Sequence, residues 1–168
     1  MSIFALDKLI AQARQLAADY RRATGKSLPI SNEIAKHDAC VALQLKPMEK
    51  ETGGYDALGQ DGEWQGLRMQ IKGRAIFDET KRSQRIGQLK LDKEWDAVIL
   101  VIMNEAFDSV EMYFVPRDAI ADALQTDKSS RSERGAMSVA KFKNIAELVW
   151  TKEQGRLTKA VWNNQVPT

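Results

Sequence analysis

Asp56, Gln70 and Lys72 are the residues of this chain whose types and spacing could do chemistry. Gln70 and Lys72 stand two apart in Met69-Gln70-Ile71-Lys72-Gly73-Arg74, and Asp56 lies upstream in Gly54-Tyr55-Asp56-Ala57. In a strand, residues two apart face the same way, so Gln70 and Lys72 project from one face while Met69 and Ile71 pack beneath the sheet. An Asp56 on the neighbouring strand can share that face if the register allows. The Asp56 carboxylate, the Gln70 side-chain carbonyl and the Ile71 backbone carbonyl are the hard oxygen donors that Mg²⁺ or Mn²⁺ takes. A lysine beside them can orient a water or balance an anionic transition state. Such a set suits phosphodiester hydrolysis, where a divalent ion polarises the phosphoryl oxygens and makes a water nucleophilic.

Composition narrows the alternatives. One cysteine, Cys40, and one histidine, His37, exclude an internal disulfide and a zinc site built from Cys and His. Nothing near His37 resembles a nucleophile elbow; His37 reads as a surface or interface residue and Cys40 as a small core residue. With 168 residues, 43% hydrophobic and 29% charged, the chain fits one globular domain spanning 1–168. A net charge of +2 permits a nucleic-acid partner without arguing for one. The first eight residues lack the basic and apolar regions of a signal peptide. The longest apolar run, Ala97 to Met103, is too short to cross a bilayer. The expected location is the cytoplasm, with no membrane partner.

The elements that must position these residues follow from periodicity. Ile3, Leu6, Leu9, Ile10, Ala13, Leu16, Ala17 and Tyr20 recur at helical spacing, which predicts a helix over 3–23 stopped near Gly25. Ser31 is the expected N-cap of a second helix reaching Leu43, with Glu33 in its first turn. Residues 47–54 read as a loop. The hairpin strands are expected at 54–58 and 66–74, and their connection of about ten residues leaves the register open. Residues 75–95 read as a helix or an ordered loop. The unbroken apolar run 96–103 predicts a strand buried on both faces. Residues 111–115 predict an antiparallel neighbour, closed by Pro116 and a short helix to Leu124. Ser138 is placed to cap a last helix carrying Val139, Phe142, Ile145, Leu148 and Val149. The expected class is α/β, with a small mixed β-sheet flanked by helices.

Asp56 followed by Gln70-Ile71-Lys72 resembles the PD-(D/E)XK nuclease superfamily, in its glutamine-x-lysine (Mrr-like) form. The resemblance covers residues 31–115, with 1–25 as an added N-terminal helix and 126–168 as a basic loop, C-terminal helix and tail. It implies a restriction-endonuclease-like core and a DNA endonuclease of restriction or repair type. Asp56, Gln70, Glu33 and the Ile71 carbonyl would hold Mg²⁺ or Mn²⁺, with Lys72 as the catalytic lysine. Two positions depart from the pattern: Tyr55 stands where the proline falls, and Gln70 replaces the second acidic residue, removing one negative charge from the metal shell. The glutamine leaves open a catalytically silent nucleic-acid-binding module on the same fold. The small net charge leaves open a protein-interaction or accessory subunit.

Basic residues could meet the nucleic-acid backbone, with Arg74 just beyond the site, Arg85 in the 78–93 cluster, and Lys128, Arg131, Arg134, Lys141 and Lys143 in the 128–143 cluster. The tryptophans at 64, 95, 150 and 162 could stack on bases, but core or interface packing is the safer reading for each. The apolar first helix, with Trp150 and Trp162, could serve a homodimer.

Overall fold

A computed structural model describes residues 3–78, 84–87, 89–126 and 135–157. The chain opens with α1 (Ile3–Thr24) and α2 (Ser31–Ala42). Short strands β1 (Lys46–Pro47) and β2 (Ala57–Leu58) follow, then a 3₁₀ turn at Gly62–Trp64 and β3 (Arg68–Ala75). Beyond β4 (Arg85–Ile86) come the long strands β5 (Ala97–Met103) and β6 (Ser109–Pro116). The described residues end with α3 (Arg117–Thr126), β7 (Met137–Ser138), α4 (Val139–Ile145), β8 (Glu147–Thr151) and β9 (Gly155–Arg156).

The protein is mixed α/β. One curled sheet runs β1-β2-β3-β5-β6-β8-β9, and β4 pairs separately with β7. Every neighbouring pair is antiparallel except β3 and β5, which are parallel. All seven residues of β5 are buried. Ala97, Ile99, Val101 and Met103 join Ile34, Ala35 and Ala39 of α2 in one core, while Val98, Leu100 and Ile102 join Ile120 of α3 and Phe142 of α4 in the other. A strand clad on both faces cannot alternate polar and apolar residues, which is why this run reads as continuous. Each large side chain so buried contributes about 1.5–3 kcal/mol.

Two devices align β3 with the rest. The Arg68 guanidinium donates to both oxygens of Asp96, at 3.0 and 3.1 Å, fastening the start of β3 to the start of β5. Gly73 lets α2 lie directly on β3: a Cβ there would come within 2.6 Å of Ala35 Cβ and 2.8 Å of Ser31 O.

Several expected elements differ. Ser31 is the first residue of α2 rather than its cap; Ile30 holds the cap position and no side chain caps the helix. The loop expected at 47–54 begins inside an edge strand, where Pro47 is tolerated. Within 75–95 the described residues form short β4 and irregular chain, with no helix. The last helix stops at Ile145, because Leu148 and Val149 belong to β8, paired with β6. Ser138 does cap it, its side chain accepting from the Lys141 N–H. No helix among the described residues is long and apolar enough to cross a membrane.

Candidate functional site

The β2–β3 register decides whether Asp56 meets Gln70. Ala57 pairs with Met69 and Leu58 with Arg68; the ladder is irregular just beyond, where the Asp56 N–H donates to the Met69 carbonyl at 2.8 Å, and Asp56 there lines the same cleft as Gln70. The β3–β5 register pairs Gln70 with Val98 and Lys72 with Leu100, both on the sheet face away from α2. Met69 and Ile71 face the α2 core, as their alternation requires. The sheet therefore brings Asp56, Gln70 and Lys72 to one cleft of about 340 Å³ at the end of β2, lined also by Asn32 and Lys36 of α2 and by Lys90.

The approach to Asp56 is tightly held. Thr52 Oγ1 accepts from the Tyr55 N–H at 3.0 Å and donates to the Tyr55 carbonyl at 2.7 Å. Gly54 passes so close to the crossover that a Cβ would lie 2.4 Å from Glu94 O. Asp56 Oδ2 accepts from the Ile71 N–H at 2.8 Å, taking the place a further β2 residue would occupy on the β3 edge. The N–H and C=O of one strand residue point to the same edge, so the Ile71 carbonyl points that way too. Asp56 Oδ1 is left to meet the Lys36 ammonium at 3.5 Å.

Gln70 is only 9% exposed. Its Nε2 makes one long contact, 3.5 Å, to the Gly54 carbonyl, and its Oε1 is buried without a hydrogen-bond partner. An orphaned buried acceptor costs about 1–3 kcal/mol unless something else satisfies it. Lys72 is half-buried beside it. Burial lowers its pKa and the Asp56 charge raises it, while Arg74, Lys36 and Lys90 lower it further; the net shift is downward.

Glu33 stands apart from the three. It does not line the cleft; its side chain is exposed and accepts from the Lys36 ammonium at 3.1 Å. Lys36 thus bridges Glu33 to Asp56. Burial lowers the Lys36 pKa, but the Glu33 hydrogen bond and the charges of Asp56 and Glu33 outweigh it and the net is upward. Sequence reasoning passed over Lys36 as a site residue. The usable signal was its place three residues after Glu33, since residues at that spacing share a helix face. It also passed over Asn32, whose Oδ1 accepts from the Gly73 N–H at 2.9 Å.

The remaining candidates lie elsewhere. The Arg74 guanidinium donates to the carbonyls of Arg85 and Gly73, tying β3 to β4. Arg85 is exposed. Lys141 donates to the Ala123 carbonyl and Lys143 lies over the Tyr113 ring. Lys128, Arg131, Arg134 and Trp162 fall outside the described residues. His37 sits 2.9 Å from Asp7 on the α1–α2 surface. Burial, then the Asp56 charge, push the Cys40 thiol up to about 11, so it stays protonated at neutral pH. Trp95 is fully buried, its Nε1 donating to the Lys90 carbonyl, and Trp64 stacks on Phe114.

No family model matches this chain, and no curated protein matches it. What the cleft does has to follow from its own residues. Its donors fit a hard divalent cation in kind: a carboxylate oxygen that meets the Lys36 ammonium, an amide oxygen with no other partner, and a strand carbonyl. They fit it thinly in charge, since no group of three or more His, Cys, Asp or Glu suited to a metal forms among the described residues. Glu33 can add its carboxylate only when Lys36 gives way.

Proposed function

We propose that this chain is a Mg²⁺- or Mn²⁺-dependent endonuclease acting on DNA, on a restriction-endonuclease-like core. The supporting observation is Gln70 Oε1, a buried acceptor without a partner in the cleft that also holds Asp56 and Lys72. Asp56, Gln70, the Ile71 carbonyl and, once Lys36 turns away, Glu33 would hold the ion. When bound, it supplies a Lewis acid that polarises a phosphoryl oxygen and lowers the pKa of water. The chain's own groups do the rest. The Lys72 ammonium, half-buried beside Asp56, would orient the attacking water or balance the anionic transition state. Lys36 and Lys90 can take the phosphate oxygens flanking the scissile bond. Nicking of supercoiled plasmid with Mg²⁺ or Mn²⁺ tests the assignment. Wild type is expected to nick, Asp56→Ala and Lys72→Ala to lose at least a hundredfold, and equal cleavage by all three would refute it.

Lys36 favours a second reading. It already neutralises Asp56, and with Lys72, Lys90 and Lys93 it makes the cleft cationic. On this reading the cleft binds a nucleic-acid backbone without cutting it. Duplex binding that neither needs a divalent ion nor leads to turnover would select it.

A further inference from the structure

We propose that α1 is the interface of a homodimer, pairing antiparallel with the same helix of a second copy about a two-fold axis at Ala13. The inference does not rest on the nuclease reading. α1 has two working faces. On one, Ile10, Ala17 and Ala18 pack into the core, Arg14 pairs with Asp38, and Arg21 lies 4.2 Å from the Phe77 ring centroid. The other is left outside: Leu6, Leu9, Leu16 and Tyr20 are 43%, 48%, 58% and 36% exposed. With Ala13 between them, these residues follow one another at intervals of 3, 4, 3 and 4, the seam spacing of paired helices. A single exposed leucine needs no explanation. A stripe that keeps the two-helix repeat along most of a helix does.

The stripe itself points to its occupant. It reads nearly the same from either end: Leu, Leu, Ala, Leu, Tyr. Reversed about Ala13, it sets Leu6 against Tyr20 of the second copy and Leu9 against Leu16, with the small Ala13 at the crossing. A self-complementary patch of this kind is what a two-fold interface requires. Charge agrees. At 3.6 residues per turn Lys8 and Asp19 fall within about 20° of each other on one flank of the stripe. The reversal brings Lys8 of each copy beside Asp19 of the other, where it would join the Arg22 and Gln15 side chains that Asp19 meets in its own helix. A 22-residue helix is about 33 Å long, and one such pair lies at the small end of interfaces that persist, so association is expected to be reversible at micromolar concentration.

Sedimentation equilibrium of the full chain from about 1 to 200 µM tests this. Wild type is expected to dimerise reversibly. Leu9→Glu/Leu16→Glu is expected to stay monomeric with an unchanged circular dichroism spectrum and urea midpoint, since both side chains are exposed. Lys8→Glu is expected to weaken the dimer and Lys8→Glu/Asp19→Lys to restore it. In a Cys40→Ala background, mild oxidation of a mixture of Leu6→Cys and Tyr20→Cys chains is expected to crosslink one to the other. A wild type monomeric throughout overturns the proposal, as does a dimer untouched by the double glutamate substitution. Crosslinking of Leu6→Cys to itself overturns the antiparallel arrangement.

Discussion

Gln70 offers the cleft a neutral oxygen where a carboxylate would bind a cation more tightly, and its neighbours give the reason. Its Nε2 donates to the Gly54 carbonyl; a glutamate would turn a second acceptor towards that carbonyl and bury a charge with it. Gln70→Glu should therefore destabilise the metal-free protein by about 1–3 kcal/mol while tightening Mn²⁺ binding, and Mn²⁺ should restore the lost thermal stability. Lys36→Met removes the ammonium that bridges Glu33 and Asp56, and should tighten Mn²⁺ by about two- to fivefold, the value of a partly exposed pair. Calorimetric titration of both variants checks this, and affinities equal to wild type would count against a cation site here. Lys72 carries a pH signature. Between its lowered folded pKa and the ordinary 10.5, the unfolded chain holds a proton that the folded chain lacks, so stability rises with pH across that window. Lys72→Met should be more stable than wild type at neutral pH, with the gap closing as pH approaches 10.5. Urea midpoints that stay parallel across the range would show that burial of this ammonium carries no penalty.

Between elements, the contact that sets the site is α2 lying on β3. Gly73→Ala forces a methyl into Ala35 and the Ser31 carbonyl and should cost about 1–3 kcal/mol by overpacking. The same displacement would carry Asn32 and Lys36 away from Asp56, so metal affinity should change along with the urea midpoint; an unshifted midpoint would mean that the helix gives way freely. This contact also marks where the sequence stops being legible. β5 could be read because a strand buried on both faces needs seven apolar residues in a row, and α1 because its periodicity is long. β8 was hidden because Leu148 and Val149 also continue the helical spacing of Val139, Phe142 and Ile145. β1, β7 and β9 have two residues each, too few for any period. Asp56, Gln70 and Lys72 could be found by type and spacing, yet their convergence depends on the β2–β3 register, which their long connection does not encode. By spacing alone Lys36 is only a partner for Glu33 on a helix surface; its meeting with Asp56 follows from the fold, which lays α2 beside the end of β2.

Across the whole molecule, the net charge of +2 conceals a concentration of charge. Lys36, Lys72, Lys90 and Lys93 all line one cleft of about 340 Å³. If that cleft takes a DNA backbone, affinity should fall steeply with salt, and Lys90→Gln/Lys93→Gln should reduce the log–log slope by about 2. Lys143→Gln, which lies over Tyr113 outside the cleft, should leave the slope unchanged; a slope insensitive to the cleft pair would assign DNA binding to another surface. The dimer proposed through α1 would give an assembly two such clefts. The parallel pairing of β3 with β5 has a last consequence, which concerns time. Strands in a parallel pair cannot close by a tight turn, so Gln70 and Lys72 meet Val98 and Leu100 only after a long crossover. Pairings so distant in sequence are slow to form, because the chain must be ordered before the contact rewards it. The wall of the cleft that Lys90 and Lys93 line is thus expected late, whereas Asp56, Gln70 and Lys72 come together earlier through the local pairing of β2 with β3.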